Sequence, residues 1–336
     1  MDERKDVTRT RFVAIAALVL VVGASCQAGH GSTRTTIGAA RTELRDLIED
    51  VTAATAARYG VTDDAGHTMD GAAITTIVEA GLFAAVYHTW SDRDQAFHVH
   101  LATSTDLTQW RWRVELARLA SQRAIAAGSD RGYVVAWEQE PDPIHNVLTY
   151  YPTWDDLSHG RATRRFDIPI TMPACGEGTP AIDSASTSRV ALTFHYHGGC
   201  TRDRQASGTT DWTTWTGEGR PDVDQAIVDE GAVGHIGDRD SIEFRGHELT
   251  LIEGQLRYED PASWRTFLYD DESGSAEALP FRTAARSVAF SNPSIEQVTI
   301  NGVDAIVVTL YVLSEGARGT GGGELIYYRT LDDDAA

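Results

Sequence analysis

The sequence predicts an all-β chain folded as a five-bladed β-propeller with a short N-terminal helix. Three observations point there. Apolar runs are short and bounded by Gly, Asp, Asn, Pro and Ser; they recur at a fixed spacing; and only one stretch has a clear helical pattern. That stretch is 38–58, GAARTELRDLIEDVTAATAAR, where Leu44, Ile48 and Val51 fall on one face. Gly60 closes it, so a helix is expected over 38–60. A second helix is compatible only with Val114 to Ala127.

The repeats follow in residues 61–336. A short strand, a turn and a longer apolar run appear five times, and Ile74, Ile125, Ile182, Ile242 and Ile295 align, 51, 57, 60 and 53 residues apart. After each comes an aromatic or β-branched strand running into an Asp-bearing turn, anchored at Asp106, Asp156, Asp211, Asp270 and Asp332. Five units of about four short strands each suit a propeller, because a lone blade cannot bury its two faces while a ring of blades can.

The beginning of the chain reads as an export signal. Residues 1–11 carry Arg4, Lys5, Arg9 and Arg11, and Phe12 to Ala24 is apolar or small, too short to span a bilayer, which takes about 20 apolar residues. Residues 1–25 are expected to be a signal peptide and 26–37 a tether. Gly23-Ala24-Ser25-Cys26 resembles a bacterial lipobox, which implies lipidation at Cys26 and a lipoprotein facing the periplasm or cell exterior; ordinary cleavage near Ser25 or Ala28 and an uncleaved anchor are the other readings. Two cysteines then remain, Cys175 and Cys200, and an exported chain can pair them. A hairpin folded between Thr187 and Ser188 sets them opposite each other, so a disulfide is expected, with two buried thiols as the alternative.

The formal net charge is −20, and −21 without the first 25 residues. So acidic a surface repels nucleic acid, and any membrane association is expected through the lipid alone. Lys5 is the only lysine, so the domain has no lysine base or Schiff-base nucleophile. No cofactor motif is present. His98 and His100, like His195 and His197, alternate along strands and share a face, but no metal-binding spacing joins them, and no metal is expected. The acidic turns Asp155-Asp156, Asp270-Asp271 and Asp332-Asp333-Asp334 lack a calcium-loop pattern and read as solvated charge. Gly316 to Gly323 reads as a hairpin tip.

The segment LATSTDLTQW, about 30 residues after Met69-Asp70-Gly71, resembles the strand and turn of five-bladed glycosidase propellers, glycoside hydrolase family 43 and its relatives. The resemblance is clearest over 69–112. It implies Asp70 as catalytic base, with Gly71 where the family has proline. It also implies Glu177 as general acid, in Glu177-Gly178-Thr179-Pro180 with Thr179 inserted. Where the family has an Asp that tunes the acid, this chain has Gln122 and Arg123. Independently of the family, residues opening the innermost strands of a propeller converge at one mouth of its channel, which predicts that Asp70, Arg123, Glu177, Asp240 and Asn292 ring that mouth. His88, Trp90, Trp137 and Glu138, at strand ends, are further candidate sugar contacts, against the reading that they merely pack or meet solvent. Two functions stand open: carbohydrate binding at the channel mouth with hydrolysis by Asp70 and Glu177, or a non-catalytic protein- or glycan-binding module. Neither a cofactor nor a particular oligomeric state is implied.

Overall fold

The computed structural model of the chain describes residues 35–141, 143–313 and 322–331. Cys26, the signal and most of the tether, most of the Gly316–Gly323 segment and Asp332 to Asp334 lie outside these residues.

The helical stripe forms α1 (Ile37–Ile48), capped by Thr36, whose hydroxyl accepts the Ala39 N–H at 3.3 Å. Leu44, Leu47 and Ile48 bury the stripe in a cluster shared with the last two blades, the helix lying on the strands His247–Gln255 and Trp264–Asp270 of the fourth. The helix stops well short of residue 60. Asp50 turns the chain through a short 3₁₀ segment, and 56–59 becomes strand β1 (Ala56–Tyr59). The reason is an unpaired sheet edge: β1 is taken up antiparallel by the chain's last strand, so backbone pairing outweighs the weak helical preference of TAATAAR.

Five four-stranded sheets follow in sequence order. Blade 1 is β2 (Asp70–Ile77), β3 (Leu82–Ser91), β4 (Ala96–Ser104) and β5 (Arg111–Arg118). Blade 2 is β6 (Ala120–Ala127), β7 (Tyr133–Gln139), β8 (His145–Tyr151) and β9 (Arg164–Asp167). Blade 3 is β10 (Ala174–Ala185), β11 (Val190–Gly198), β12 (Arg202–Thr210) and β13 (Trp215–Gly219). Blade 4 is β14 (Ile236–Phe244), β15 (His247–Gln255), β16 (Trp264–Asp270) and β17 (Ser275–Ala278). Blade 5 joins β18 (Phe290–Ile300), β19 (Val303–Val312) and β20 (Gly323–Thr330) to β1, so the two ends of the propeller share one sheet. This closes the ring, and the first strands of successive blades pack around the axis. The expected five-bladed propeller is therefore the fold.

All five aligned isoleucines lie on first strands, and the described Asp anchors lie between third and fourth strands or, for Asp270, at the end of the third. There the carboxylates close turns: Asp106 accepts the Thr108 and Gln109 N–H groups, Asp211 those of Thr213 and Thr214, and Asp270 that of Ser273. Val114 to Ala127 is not a helix but the end of β5 and all of β6, joined through Leu119 at φ +52°. Two helices went unforeseen: α2 (Trp154–Ser158) and α3 (Pro221–Asp229), which covers β12, β16 and β17. The disulfide between Cys175 and Cys200 is present, with Cα atoms 5.3 Å apart, and the hairpin turns at Ser186–Arg189 as expected.

Candidate functional site

Each first strand carries an irregularity near its start, where one or two residues slip against the neighbouring strand: Gly71-Ala72, Gln122, Thr179-Pro180, Gly237-Asp238 and Asn292-Pro293. Gly71, Gln122, Thr179 and Asn292 all have positive φ there. These bulges set the axial level of each blade. They also correct the expectation that the five strand-opening residues share one level. Counted from the positive-φ residue, Asp70 sits one place before, Arg123 one after, Glu177 two before and Asn292 on it. The five therefore do not share one register: Arg123 and Asp240 line one cavity, Asn292 meets Arg123 around Gly71, and Glu177 lines another cavity.

Arg123 and Asp240 line an axial cavity of about 210 Å3, together with Arg239, Ser241, Ser294 and Glu296. Its charges are only partly matched: Arg123 Nη2 and Arg239 Nε are buried without a hydrogen-bond partner among the described residues, and burial with the charge of Asp240 raises Glu296 to about 8. Arg123 is buried, donates from Nε to the Val86 carbonyl at 3.3 Å and has Asp238 3.7 Å from Nη1. Arg239 donates to the Thr179 carbonyl at 2.6 Å and to the Gly237 carbonyl. Asp240 accepts from the Ser294 hydroxyl at 2.5 Å and the Ile295 N–H at 3.1 Å. Asn292 and His88 meet Arg123 around Gly71: a Cβ on Gly71 would lie 3.0 Å from Asn292 Nδ2, 3.1 Å from His88 and 3.3 Å from the guanidinium carbon. Burial, then the charge of Arg123, hold His88 neutral down to about 3. Asp70 pairs with His88 across β2 and β3 and is pushed up by burial, partly opposed by the Thr68 hydroxyl at 3.1 Å. Asp70 is not among the residues lining the Glu177 cavity or the axial cavity.

Glu177 lines a separate cavity of about 280 Å3, between blades 2 and 3, with Glu138, Gly178, His195, His197 and Asp203. Its Oε1 accepts the Thr171 and Met172 N–H groups, both at 2.8 Å, while Oε2 has no hydrogen-bond partner among the described residues. Burial raises this carboxyl, partly offset by those two N–H groups. Glu138 caps the other side of Gly178, accepting the Thr179 N–H at 3.1 Å, and burial with neighbouring negative charge raises it to about 7. Asp203 goes the other way. Burial pushes it up, but His195, His197 and His235 outweigh that and hold it below the usual range. One small cavity thus contains two carboxyls biased towards protonation and one biased towards ionisation, an arrangement that serves acid–base chemistry or hydroxyl recognition.

Glu138 belongs to a set. Glu253 accepts the Asn292 N–H at 2.5 Å, and Glu324 accepts those of Gly71 and Ala72 at 2.8 and 2.9 Å. Each of the three reaches from its own blade to the bulge of the next. Burial raises Glu253, and raises Glu324 to about 8. End-of-strand glutamates at matching positions are therefore interblade clamps rather than residues meeting solvent. Trp137 is 1% exposed, donating from Nε1 to Gln139 and covered by Arg165, so it offers no face to a sugar. Trp90 is 46% exposed and rests its edge contact on Phe97. Sequence reasoning did not find Asp203, His235, Asp238, Arg239 or Glu324. None sits in a motif, and Arg239 differs from the expected Asp240 by one place of register.

No protein-family model and no curated protein matches this chain. Solved structures do share its fold. A thermostable family-43 glycoside hydrolase superposes with a TM-score of 0.52 at 7% identity, covering 81% of this chain and 92% of that one. The catalytic domain of Coprinopsis cinerea GH62 α-L-arabinofuranosidase gives 0.51 at 10% identity, covering 81% and 93%. The exo-β-1,3-galactanase of Phanerochaete chrysosporium gives 0.50 at 12% identity, covering 83% of this chain; the chain spans 65% of that protein. At such identities the likeness is one of fold: this is a five-bladed β-propeller of the architecture that several glycoside hydrolases use.

Proposed function

We propose that this chain is an exported, lipid-anchored propeller that binds carbohydrate beside its channel mouth, in the cavity shared by Glu177 and Glu138. The observation that carries the reading is Glu177 itself. Its carboxyl is held by two backbone N–H groups through one oxygen, its other oxygen is buried without a hydrogen-bond partner among the described residues, and the residue lines a cavity of about 280 Å3. A buried acceptor without a partner costs about 1–3 kcal/mol, and a sugar hydroxyl supplies the missing donor. Glu138 and the imidazole of His195 offer further donors and acceptors on the same wall. The disulfide and the propeller architecture accord with work outside the cytoplasm.

Hydrolysis is the second reading. It is favoured by one observation: Asp70 and Glu177 both stand at the openings of first strands, as the resemblance to family 43 implies, and burial raises both carboxyls. On this reading Glu177 is the acid and Asp70 the base; inversion requires their carboxyls roughly 6.5–9.5 Å apart with a sugar between them. The test is a panel of neutral polysaccharides and oligosaccharides, scored for both binding and released reducing ends. Binding lost in Glu177→Gln without any hydrolysis by the native chain supports the binding module. Turnover abolished by both Asp70→Asn and Glu177→Gln supports the glycosidase. Native binding unchanged in Glu177→Gln overturns the site.

A further inference from the structure

Beside the Glu177 cavity, three imidazoles converge on one carboxylate. His197 Nδ1 lies 2.8 Å from Asp203 Oδ1, and His235 Nδ1 lies 2.8 Å from Asp203 Oδ2. His195 Nε2 lies 3.7 Å from Asp203 Oδ1. One ligand atom from each of His197, Asp203 and His235 falls within 4.8 Å of the other two. We propose that His197, Asp203 and His235 form a binding site for a borderline divalent cation of the Zn2+ class, with an open coordination position towards the cavity.

The fold builds this group deliberately. His195 and His197 alternate on β11 and so share a face. Asp203 is the register partner of His197 on β12, which places its carboxylate on that face too. The short connection between them is anchored by the Cys175–Cys200 bond. His235 arrives from the segment leading into blade 4, its ring lying nearly parallel to that of His197 at 5.9 Å and to Tyr258 at 5.2 Å. Two imidazole nitrogens and a carboxylate, with room left for water or another ligand, are the donor set of an open zinc-type site.

Nδ1 of His235 faces Asp203 Oδ2 at 2.8 Å, where either a proton or a cation can bridge the two. Orientation from behind is also present. His195 Nδ1 shares a 2.5 Å hydrogen bond with the Thr179 hydroxyl, which in turn accepts from Arg239 at 3.0 Å, so His195 is held with Nε2 towards Asp203. His195 thus faces the ligand carboxylate without being one of the proposed ligands. In the other histidine cluster, His98, His100 and Glu115, Nδ1 of His100 accepts the Trp112 N–H at 3.2 Å, Nδ1 of His98 pairs with Glu115 at 2.9 Å, and the buried Nε2 of His98, 3.1 Å from Asp94, makes no hydrogen bond among the described residues.

This inference does not rest on the carbohydrate reading, because its test reads metal directly. The tag-free full chain, stripped with EDTA and dialysed, is titrated with Zn2+ against a chromophoric chelator, and with Co2+ by visible absorption. The expected result is one zinc per chain and a cobalt spectrum of four- or five-coordinate intensity. His197→Ala and His235→Ala should each weaken binding by more than about 100-fold, beyond the 10–100-fold loss that follows from disturbing an outer partner. Asp203→Asn, which keeps the side-chain shape, should do the same while melting normally in EDTA, and His98→Ala should leave the affinity unchanged. Failure of the native chain to bind zinc stoichiometrically overturns the proposal. So does unchanged affinity in Asp203→Asn, or loss of binding only in His98→Ala.

Discussion

The axial cavity is lined by the first strands of all five blades and the Glu177 cavity by blades 2 and 3, and their charged groups are treated differently. On the axis, cations meet anions: Arg123 faces Asp238, and Asp240 is tied to Ser294 and Ile295 of the next blade. Off the axis no arginine lines the cavity. Its carboxyls are held by backbone N–H groups and imidazoles, and Glu177 Oε2 is left over. Convergence on an axis gathers side chains but does not by itself make a site. The axial set ties blades together, although Arg123 Nη2, Arg239 Nε and Asp238 Oδ2 also lack hydrogen-bond partners among the described residues; the off-axis set is carboxyls and imidazoles with no arginine.

That contrast can be broken most forcefully at Arg123. Arg123→Ala removes one of the two arginines acting on buried Asp238 and leaves only Arg239, and stability should fall by up to about 3–5 kcal/mol, the usual cost of breaking a buried pair. Denaturant melts read this directly; a loss below about 1 kcal/mol would show that the axial charges are not structural. Gly178→Ala comes next. Its Cβ would collide with the Glu138 carboxyl, so the bulge or the glutamate must move, at about 1–3 kcal/mol, and ligand affinity should fall with it. A change in stability alone would separate the bulge from the cavity.

A third test uses pH. Glu324 is raised to about 8 in the folded chain, from the ordinary glutamate value. A carboxyl raised on folding contributes stability below about pH 4.5 and loses it as pH rises through about 8. His88 and His195, lowered to about 3 and about 4, act only as pH falls below about 6.5. Between pH 6.5 and 8 the glutamate clamps therefore dominate these groups, and the native Tm should drop with rising pH. Glu324→Gln should flatten that slope; an equally steep fall in the variant would remove the clamp from the account. The smallest effect belongs to Trp90, 46% exposed. Trp90→Ala should change stability by less than about 0.5 kcal/mol, as surface changes do, so any larger loss of glycan affinity would identify it as a stacking platform.

The fold was legible because it is repetitive. Five isoleucines on first strands and the Asp turns after third strands are periodic signals that no single blade could obscure. Ring closure through β1 was not legible, since residues 56–59 pair with a strand more than 260 residues away and nothing local requires it. The site was half legible for a related reason. Glu177, Glu138 and His195 stand at recognisable strand ends, but the bulges shift each blade's register independently, so equal offsets in sequence do not give equal heights in the channel. Trp137 was misread by that same logic: a strand-end position does not reveal that Arg165 of β9 covers the ring. Asp203 and His235 carried no repeat signal, because they meet across the junction of blades 3 and 4.

The most direct measurement is isothermal titration of the native chain, Glu177→Gln and Asp240→Asn with a neutral oligosaccharide drawn from the binding panel. Binding by the native chain, a loss of at least about tenfold in Glu177→Gln, as removal of one charged hydrogen-bonding group implies, and near-native affinity in Asp240→Asn is the predicted result. Retained affinity in Glu177→Gln together with lost affinity in Asp240→Asn would place the ligand on the axis and contradict the account.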